Sequence, residues 1–353
     1  MLKILPYLKL AVERNASDLY FTSGAAPMLR VEGEMLAIGK TVLTSEFIRE
    51  LAYSILTPEQ QQTLQQHWEL DLATEAGGLG RFRVNIFTQR GTLAMCLRYV
   101  KAEVPRLEDL KMPPVLGDLA LQKRGLILMV GATGSGKSTT LAAMMNHRNE
   151  NSAGHLLTIE DPIEYVHPNK RSIVNQREVG QDTVSYERAL LSALREAPDV
   201  ILIGEVRTRD TMDACLQLAN TGHLAISTLH ANNAYQAMQR ITNLYPDDGR
   251  GQLYLDLSLT LRAIVSQRLV RSKDGRRVAA VEVMINTPYI AELINSRRID
   301  EMRDAMTQSS DRGMQTFDQS LYKLYQDGVI ELEEALHNAD SRANLEAKIN
   351  FGG

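Results

Sequence analysis

The strongest chemical signal in the 353-residue sequence is a glycine-rich segment that ends in a lysine and a hydroxyl residue. Residues 131–138 read GATGSGKS, a full match to G-x-x-x-x-G-K-[ST], and a predicted strand and helix flank them. In such a loop, backbone N–H groups surround the phosphates of a nucleotide, the lysine adds positive charge, and the serine hydroxyl completes the coordination of Mg²⁺. The predicted nucleotide contacts are Gly131, Ala132, Thr133, Gly134, Ser135, Gly136, Lys137, Ser138 and Thr139, with Arg207 and His223 as further candidates.

Two apolar runs further along the chain end in carboxylates. Glu205 follows VILI (200–203), and LLTI (156–159) precedes a segment with three acids, Glu160, Asp161 and Glu164. In a parallel sheet, ligands bind outside the carboxyl ends of the strands, so we expect these acids on strands neighbouring the loop. Glu160, Asp161, Glu205 and Ser138 are therefore candidate Mg²⁺ ligands, and either Glu205 or Glu164 is a candidate to orient or deprotonate water. A single acid after a strand is more often a solvated loop residue.

Histidines and arginines complete the candidate site. His230 follows the run LAIS (224–227) and would share an edge with Glu205, whereas His223 precedes that run and would orient a neighbour. Arginines stabilise charge in phosphoryl transfer, often from another domain or subunit. The candidates are Arg207 beside Glu205 and, near the N-terminus, Arg81, Arg83 and Arg98; for these last three, a solvated sheet face is the alternative reading.

The predicted secondary structure that would position these residues differs from one part of the chain to the next. Continuous apolar runs at 126–130, 156–159, 200–203 and 224–227 alternate with helical patterns, which predicts a parallel α/β sheet. A hairpin is predicted around Asp274 and Gly275, with a mostly helical tail from about 287. The basic residues around this hairpin are predicted to be solvated: Arg268, Arg271, Lys273, Arg276 and Arg277.

The N-terminal part has the pattern of a smaller α+β domain. RFRVNIF (81–87) alternates strictly, which predicts a strand that is buried on one face, and SEFIRELAYSIL and PEQQQTLQQHW predict helices. Pro105, Pro113 and Pro114 interrupt the pattern downstream. We therefore expect an N-terminal domain at 1–104, a linker at 105–118, and a nucleotide-binding domain at 119–353 that ends in helices.

Composition limits the classes of function. Hydrophobic residues make up 44% and charged residues 23%, which is typical of folded globular domains. The net charge of −4 gives no general basic footprint, so no nucleic-acid partner is expected. Two cysteines cannot build a four-cysteine zinc site and favour a reducing, cytoplasmic location.

Four ordered motifs together resemble a known family. GATGSGKST, TIEDPIEYVH, APDVILIGEVR and TGHLAISTLHANNA are similar to the motif set of the secretion ATPases (GspE/PilT family), specifically the type IV pilus retraction group. The resemblance implies a RecA-like P-loop core, a PAS-like N-terminal domain, and ATP with Mg²⁺. It also implies roles in catalysis for Glu205 and Glu164, a paired role for His230 and His223, and approach of the N-terminal arginines to the nucleotide.

The resemblance further implies partners and a location. It predicts a homo-hexamer in the cytoplasm, peripheral to the inner membrane, on a PilC-like platform protein, acting indirectly on pilin. Thr208 stands where the group usually has Asp, and the segments HRNENSAGH and QREVGQDT are typical of an accessory subgroup. Three readings remain open at this stage: an autonomous retraction motor, an accessory ring subunit that depends on a PilT-type hexamer, and, less favoured, a nucleic-acid translocase.

Overall fold

The computed structural model describes residues 3–31, 33–100, 103–309 and 313–351. The chain divides into two compact units. Unit 1 comprises 1–103 together with 164–166, and unit 2 comprises 104–163 and 167–353.

Unit 1 is built on an antiparallel sheet with three helices. Its elements are α1 (Leu5–Glu13), β1 (Asp18–Phe21), β2 (Met28–Val31), β3 (Glu34–Ala37), α2 (Ser45–Tyr53), α3 (Pro58–His67), β4 (Glu69–Glu75), β5 (Arg81–Gln89) and β6 (Thr92–Val100). The strand order is β3-β2-β1-β6-β5-β4, and every neighbouring pair in the described residues is antiparallel.

Local sequence patterns explain much of unit 1. The strict alternation in β5 buries Phe82, Val84 and Ile86, as the period of two requires. α3 begins with Pro58 in its first turn behind a capping box, in which Thr57 and Gln60 satisfy each other's backbone N–H groups. The predicted strand and helices of this region are confirmed.

Unit 2 combines a larger sheet with helices. Its elements are α4 (Val115–Ala120), β7 (Gly125–Val130), α5 (Lys137–Asn151), β8 (Gly154–Glu160), β9 (Ser172–Glu178), α6 (Tyr186–Ala193), β10 (Val200–Ile203), α7 (Arg209–Asn220), β11 (Leu224–Leu229), α8 (Ala234–Thr242), α9 (Arg250–Thr260), β12 (Leu261–Arg271), β13 (Arg277–Ile285), α10 (Pro288–Asn295), α11 (Met302–Gln308), α12 (Phe317–Gln326), α13 (Leu332–Asn338) and α14 (Arg342–Phe351), with short 3₁₀ turns at Asp247–Gly249 and Ile299–Glu301.

The sheet of unit 2 has the order β13-β12-β7-β11-β10-β8-β9. All neighbours pair in parallel except β12 and β13, which form the predicted hairpin. Every residue of β7, β10 and β11 is buried, because helices cover both faces. The order corrects one expectation: β11 lies between β7 and β10, so the strand that ends at Glu205 is the second neighbour of the strand that enters the phosphate loop.

The sequence pattern did not predict one of the parallel strands, β9. β9 lies at the edge of the sheet, and its residues alternate between buried and exposed positions instead of forming an apolar run. An edge strand is covered less completely than an interior strand, so its sequence carries charged and amide residues.

The predicted linker, 105–118, carries apolar residues that are buried within unit 2. Leu107 and Leu116 pack in the same core as Met144 and Met145 of α5. At the other end of the chain, the helices after 316 cover the β12–β13 hairpin, with Phe317 and related side chains packed on it. In the described ranges, no helix combines the length and the apolar character needed to cross a membrane.

Candidate active site

The loop between β7 and α5 has a backbone that demands glycine. Gly136 has φ 88°, and a Cβ there would lie 2.7 Å from Nε2 of Gln267. A Cβ on Gly131 would lie 2.6 Å from the backbone oxygen of Gln267. Any side chain at either position would therefore strain the loop or displace β12. This tight turn places the N-terminus of α5, where the helix dipole favours anions, at the carboxyl edge of the sheet.

Lys137 and Ser135 give this loop the polar groups that an anion needs. The Lys137 ammonium donates hydrogen bonds to the backbone oxygens of Gly131 (2.7 Å) and Ala132 (2.9 Å). Burial lowers the pKa of Lys137, and the charge of Glu205 partly offsets this shift. Among the described residues, the Ser135 hydroxyl is buried without a hydrogen-bond partner. The loop thus presents a desolvated cation and an unsatisfied hydroxyl.

Glu205 is held between two cationic or ionisable side chains. Arg207 Nε donates to Oε2 of Glu205 at 2.8 Å, and His230 Nε2 lies 3.3 Å from Oε1. Thr228 fixes the backbone beside them, because its hydroxyl donates to the backbone oxygen of Gly204 at 2.6 Å. The carboxylate is only 15% exposed. The structure therefore brings Lys137, Glu205, Arg207 and His230 to one edge.

The acids after β8 have different surroundings. One oxygen of Glu160 accepts hydrogen bonds from the Thr158 hydroxyl (2.6 Å) and the Gln176 amide (3.2 Å), which direct it toward β9. Asp161 is exposed and acts electrostatically on Tyr186, whose pKa is raised chiefly by burial and next by that carboxylate.

Tyr186 is a site residue that the sequence pattern did not indicate. Its hydroxyl lies against Gly204, where a Cβ would approach it to 2.5 Å, and it feels the charges of Asp161, Glu160 and Glu205. Tyr186 opens α6, and only its position after the N-cap Ser185 could have marked it. Its phenol therefore lies beside the residue that precedes Glu205.

His223 lies outside this cluster within one chain, and its role as a nucleotide contact stays a prediction. Its Nδ1 lies 3.1 Å from the Thr221 hydroxyl, before β11 begins. Leu224 pairs with Gly125 and Leu229 with Val130, so His223 stands beside the start of β7. Six residues of strand, about 20 Å, separate it from the loop that follows β7.

The remaining candidates belong to unit 1. Arg98 forms an ion pair with Asp18 at 2.9 Å, and Arg83 lies opposite Arg98 in the β5–β6 register, with Arg81 at the start of β5. Glu164 groups with unit 1. Unit 2 by itself therefore does not bring these four residues to the phosphate loop.

Unit 2 also has a cavity beside the loop. A cavity of about 1310 Å³ borders Gly136, Thr139 and Thr140 on one side. Its opposite walls come from three segments, at 109–115, 269–281 and 313–329, and include Met112, Leu269, Val278, Arg277 and Lys323. Its walls thus combine apolar and basic side chains.

A divalent ion would find few protein ligands ready. In the part of the chain that the structure describes, no group of three or more His, Cys, Asp or Glu side chains is arranged to hold a metal ion. Ser138, the second residue of α5, and Glu205 remain the protein groups at the loop edge that suit it.

The fold and the site define a P-loop nucleotide-binding protein with a RecA-like α/β core. The family model described as "Type II/IV secretion system protein" matches residues 4–323. The chain belongs to this family.

Individual relatives sharpen the comparison. The chain is 50% identical to the "Type IV pilus ATPase PilU" of Pseudomonas aeruginosa over 98% of this chain and 91% of that one. It is 39% identical to the "Type IV pilus retractation ATPase PilT" of the same organism, over 97% and 99%. The crystal structure of the pilus retraction motor PilT with bound ADP superposes with a TM-score of 0.91 at 41% identity, covering 97% of this chain and 98% of that one. The predicted resemblance and the predicted fold class are confirmed.

Proposed function

We propose that this protein hydrolyses ATP as a subunit of a type IV pilus retraction motor. The observation that carries the proposal is the cluster of Lys137, Glu205 and His230 at the carboxyl edge beside the phosphate loop. The match to PilU and PilT over nearly the whole chain supports pilus retraction as the work that the hydrolysis drives.

The residues divide the chemistry between binding and hydrolysis. Lys137 would exchange its two backbone acceptors in the loop for phosphate oxygens, which are stronger, charged acceptors. Glu205 would orient the attacking water and accept its proton, with His230 fixing the carboxylate through Oε1. Arg207 holds the other oxygen and would neutralise charge that develops near the γ-phosphate. Glu164 and the arginines of unit 1 stay candidates for the same step.

The reaction is proposed to depend on magnesium. The Ser138 hydroxyl and, directly or through water, Glu205 would hold the ion, while Glu160 is turned toward β9 by its two hydrogen bonds. When bound, the ion neutralises charge on the phosphates.

An accessory role beside a PilT-type hexamer is the second candidate. The identity to PilU, 50%, exceeds that to PilT, 39%, over similar lengths. The Thr208 hydroxyl caps α7 by accepting from the backbone N–H of Thr211, as an aspartate would. We propose that the protein forms hexamers, acts in the cytoplasm at an inner-membrane platform protein, and cooperates with a PilT-type ring.

Two measurements test the proposal. The purified protein is expected to release phosphate from ATP with magnesium, and chelation of the ion is expected to stop it. Deletion of the gene is expected to reduce twitching more strongly where PilT activity is limiting. Turnover that rises on addition of DNA would instead favour a translocase, and the absence of turnover with and without a PilT partner would overturn the ATPase proposal.

A further inference from the structure

The turn that carries His230 into α8 is tied on both sides to the β12–β13 hairpin. Arg268 Nη2 of β12 donates to the backbone oxygen of Asn232 at 3.3 Å. The backbone N–H of Ala234, the first residue of α8, donates to Oε1 of Glu282 in β13 at 2.8 Å. The turn at 230–233 is thus held by one donor and one acceptor from the neighbouring strands.

Arg268 is packed, which corrects its prediction as a solvated hairpin residue. Besides Asn232, it donates to the backbone oxygen of Asn338 at 2.8 Å and pairs with Asp340 at 2.6 Å. Its guanidinium lies 3.9 Å from the ring centre of the fully buried Phe317. The fork of guanidinium donors lets a single side chain join the turn to the C-terminal helices.

Ser266 and Gln267, the two residues before Arg268, contact Glu282 and the phosphate loop with its helix. The Thr140 hydroxyl of α5 donates to Gln267 Oε1 at 2.8 Å, and the main chain of Gln267 lies against Gly131. The Ser266 hydroxyl donates to Glu282 Oε1 at 3.0 Å. The hydrogen bonds of Gln267 and Ser266 are buried, whereas the bond from Arg268 to Asn232 is exposed. Three consecutive residues of one strand thus link the phosphate loop, the turn and the C-terminal helices.

We propose that Arg268 is a positioning residue that fixes the His230 turn relative to the phosphate loop and so sets the His230–Glu205 geometry. It touches neither nucleotide nor reacting atoms, and it acts through the backbone of Asn232. The inference rests on the proposed ATP hydrolysis, in which Glu205 acts on water. Displacement of such a group by about 1 Å costs up to about 100-fold in rate, so a backbone tie of this kind controls turnover.

The test compares two identical substitutions on one strand. Arg268→Lys keeps the charge beside Asp340 but cannot contact Asn232, Asn338 and Asp340 together. Arg271→Lys is the matched control, because Arg271 is exposed and lies three residues further along β12. Arg268→Lys is expected to lower kcat about tenfold while the Kd for ADP changes less than about twofold, and Arg271→Lys is expected to change neither.

A second readout needs no turnover. Hydrogen exchange in the protein without nucleotide is expected to be about fivefold faster at the amide of Ala234 in Arg268→Lys and unchanged in Arg271→Lys. A structural role limited to the C-terminal helices would instead speed exchange in 317–351 and leave Ala234 and kcat unchanged, which would overturn the proposal. An equal loss of kcat and ADP affinity would overturn it as well.

A milder variant covers the case in which Arg268→Lys does not fold. Asp340→Asn removes the charge that orients the guanidinium and leaves the acceptor of Asn232 in place. It is expected to lower kcat about threefold with faster exchange at Ala234, and no change in either would count against the proposal. If the wild type itself shows no turnover, the proposed function fails, while the exchange comparison still decides whether Arg268 holds the turn.

Discussion

Strands β10 and β11 carry an acid and a histidine at each end, yet the two ends differ in their surroundings. At the amino edge, Asp199 accepts from the backbone N–H of His155 at 2.8 Å, and His223 lies beside the Thr221 hydroxyl. At the carboxyl edge, Glu205 and His230 lie 3.3 Å apart. Burial lowers the pKa of Lys137, and Glu205 is close enough for its charge to offset part of that shift.

The comparison shows that the presence of an acid and a histidine is not enough to form the candidate active site. At the amino edge, the acid and the histidine satisfy local backbone and hydroxyl groups of the loops that begin the strands. At the carboxyl edge, the same kinds of side chain meet one another and the N-terminus of α5, because parallel strands all end there. The direction of the parallel strands therefore determines which acid and which histidine lie beside the phosphate loop.

The largest effect is expected when the acid at one end of β10 is replaced by its amide and compared with the same change at the other end. Glu205→Gln is expected to lower kcat about 100-fold or more, since the amide cannot accept a proton from water. Binding of ADP is expected to change less than about twofold. Asp199→Asn, which keeps an oxygen for His155, is expected to leave kcat unchanged. Phosphate release and equilibrium binding of ADP measure both, and equal kcat losses in the two variants would erase the contrast between the edges.

The same contrast applies to the two ends of α5. Lys137→Ala is expected to weaken ADP binding about 100-fold, because it removes a charged donor to phosphate. The matched control is Lys170→Ala, since Lys170 bonds to Asn146 and Glu150 near the other end of the helix. Titration calorimetry checks this, and ADP affinity that survives in Lys137→Ala would place the phosphates elsewhere.

Glu282 of β13 is buried, unlike the acids at the two edges, and its titration affects the stability of the fold. Burial raises the pKa of Glu282 to about 7 from 4.5, so the folded chain keeps a proton that the unfolded chain releases between these values. The stability of this protonated form is present below about pH 4.5 and is lost as the pH rises to about 7. Arg268 and Asp340 act on this carboxyl in opposite directions, Arg268 lowering and Asp340 raising its pKa.

Glu282→Gln removes this titration and keeps an oxygen for Ala234 and Ser266. From pH 5 to pH 8, the wild type is expected to lose about 2 kcal/mol of unfolding free energy relative to the variant. Urea unfolding at both pH values measures the difference, in which other titrations cancel. A difference that stays constant with pH would show that Glu282 is already ionised in the folded chain at pH 5.

The smallest expected effect concerns the two ends of β11. His230→Gln is expected to lower kcat about tenfold, because the shorter amide would not hold the Glu205 carboxylate in the position that the imidazole fixes. His223→Gln is expected to change kcat less than about twofold. Steady-state phosphate release compares the pair, and a larger loss in His223→Gln would indicate that the residue acts on a neighbouring subunit.

The sequence was most informative where a function depends on contiguous residues. The loop from Gly131 to Thr139 is predictable because its turn, its lysine and its helix start are encoded locally. The burial of Phe82, Val84 and Ile86 follows from a period of two. Continuous apolar runs identify the interior strands β7, β10 and β11, because helices bury both faces of these strands.

Contacts between distant segments were not predictable in this way. Tyr186 meets Gly204, and Gln267 meets Thr140, only because the sheet brings separate strands and helices together. Arg268 was predicted to be solvated because its neighbours in sequence are basic and polar, whereas its contacts lie in the helices after 316. One local signal was present: Glu282 is an acid within the apolar strand VAAVEVMI, and such a residue needs buried partners.

The close packing of Gln267 on the phosphate loop restricts which sequences this fold can tolerate. Its amide and its backbone oxygen occupy the space that side chains at 136 and 131 would need. A mutation at Gly136 would therefore require a smaller residue at 267 as well as tolerance of a positive φ, and the smaller residue would forfeit the bond to Thr140. In an evolving lineage these positions would change together or not at all, although about 130 residues of chain separate them.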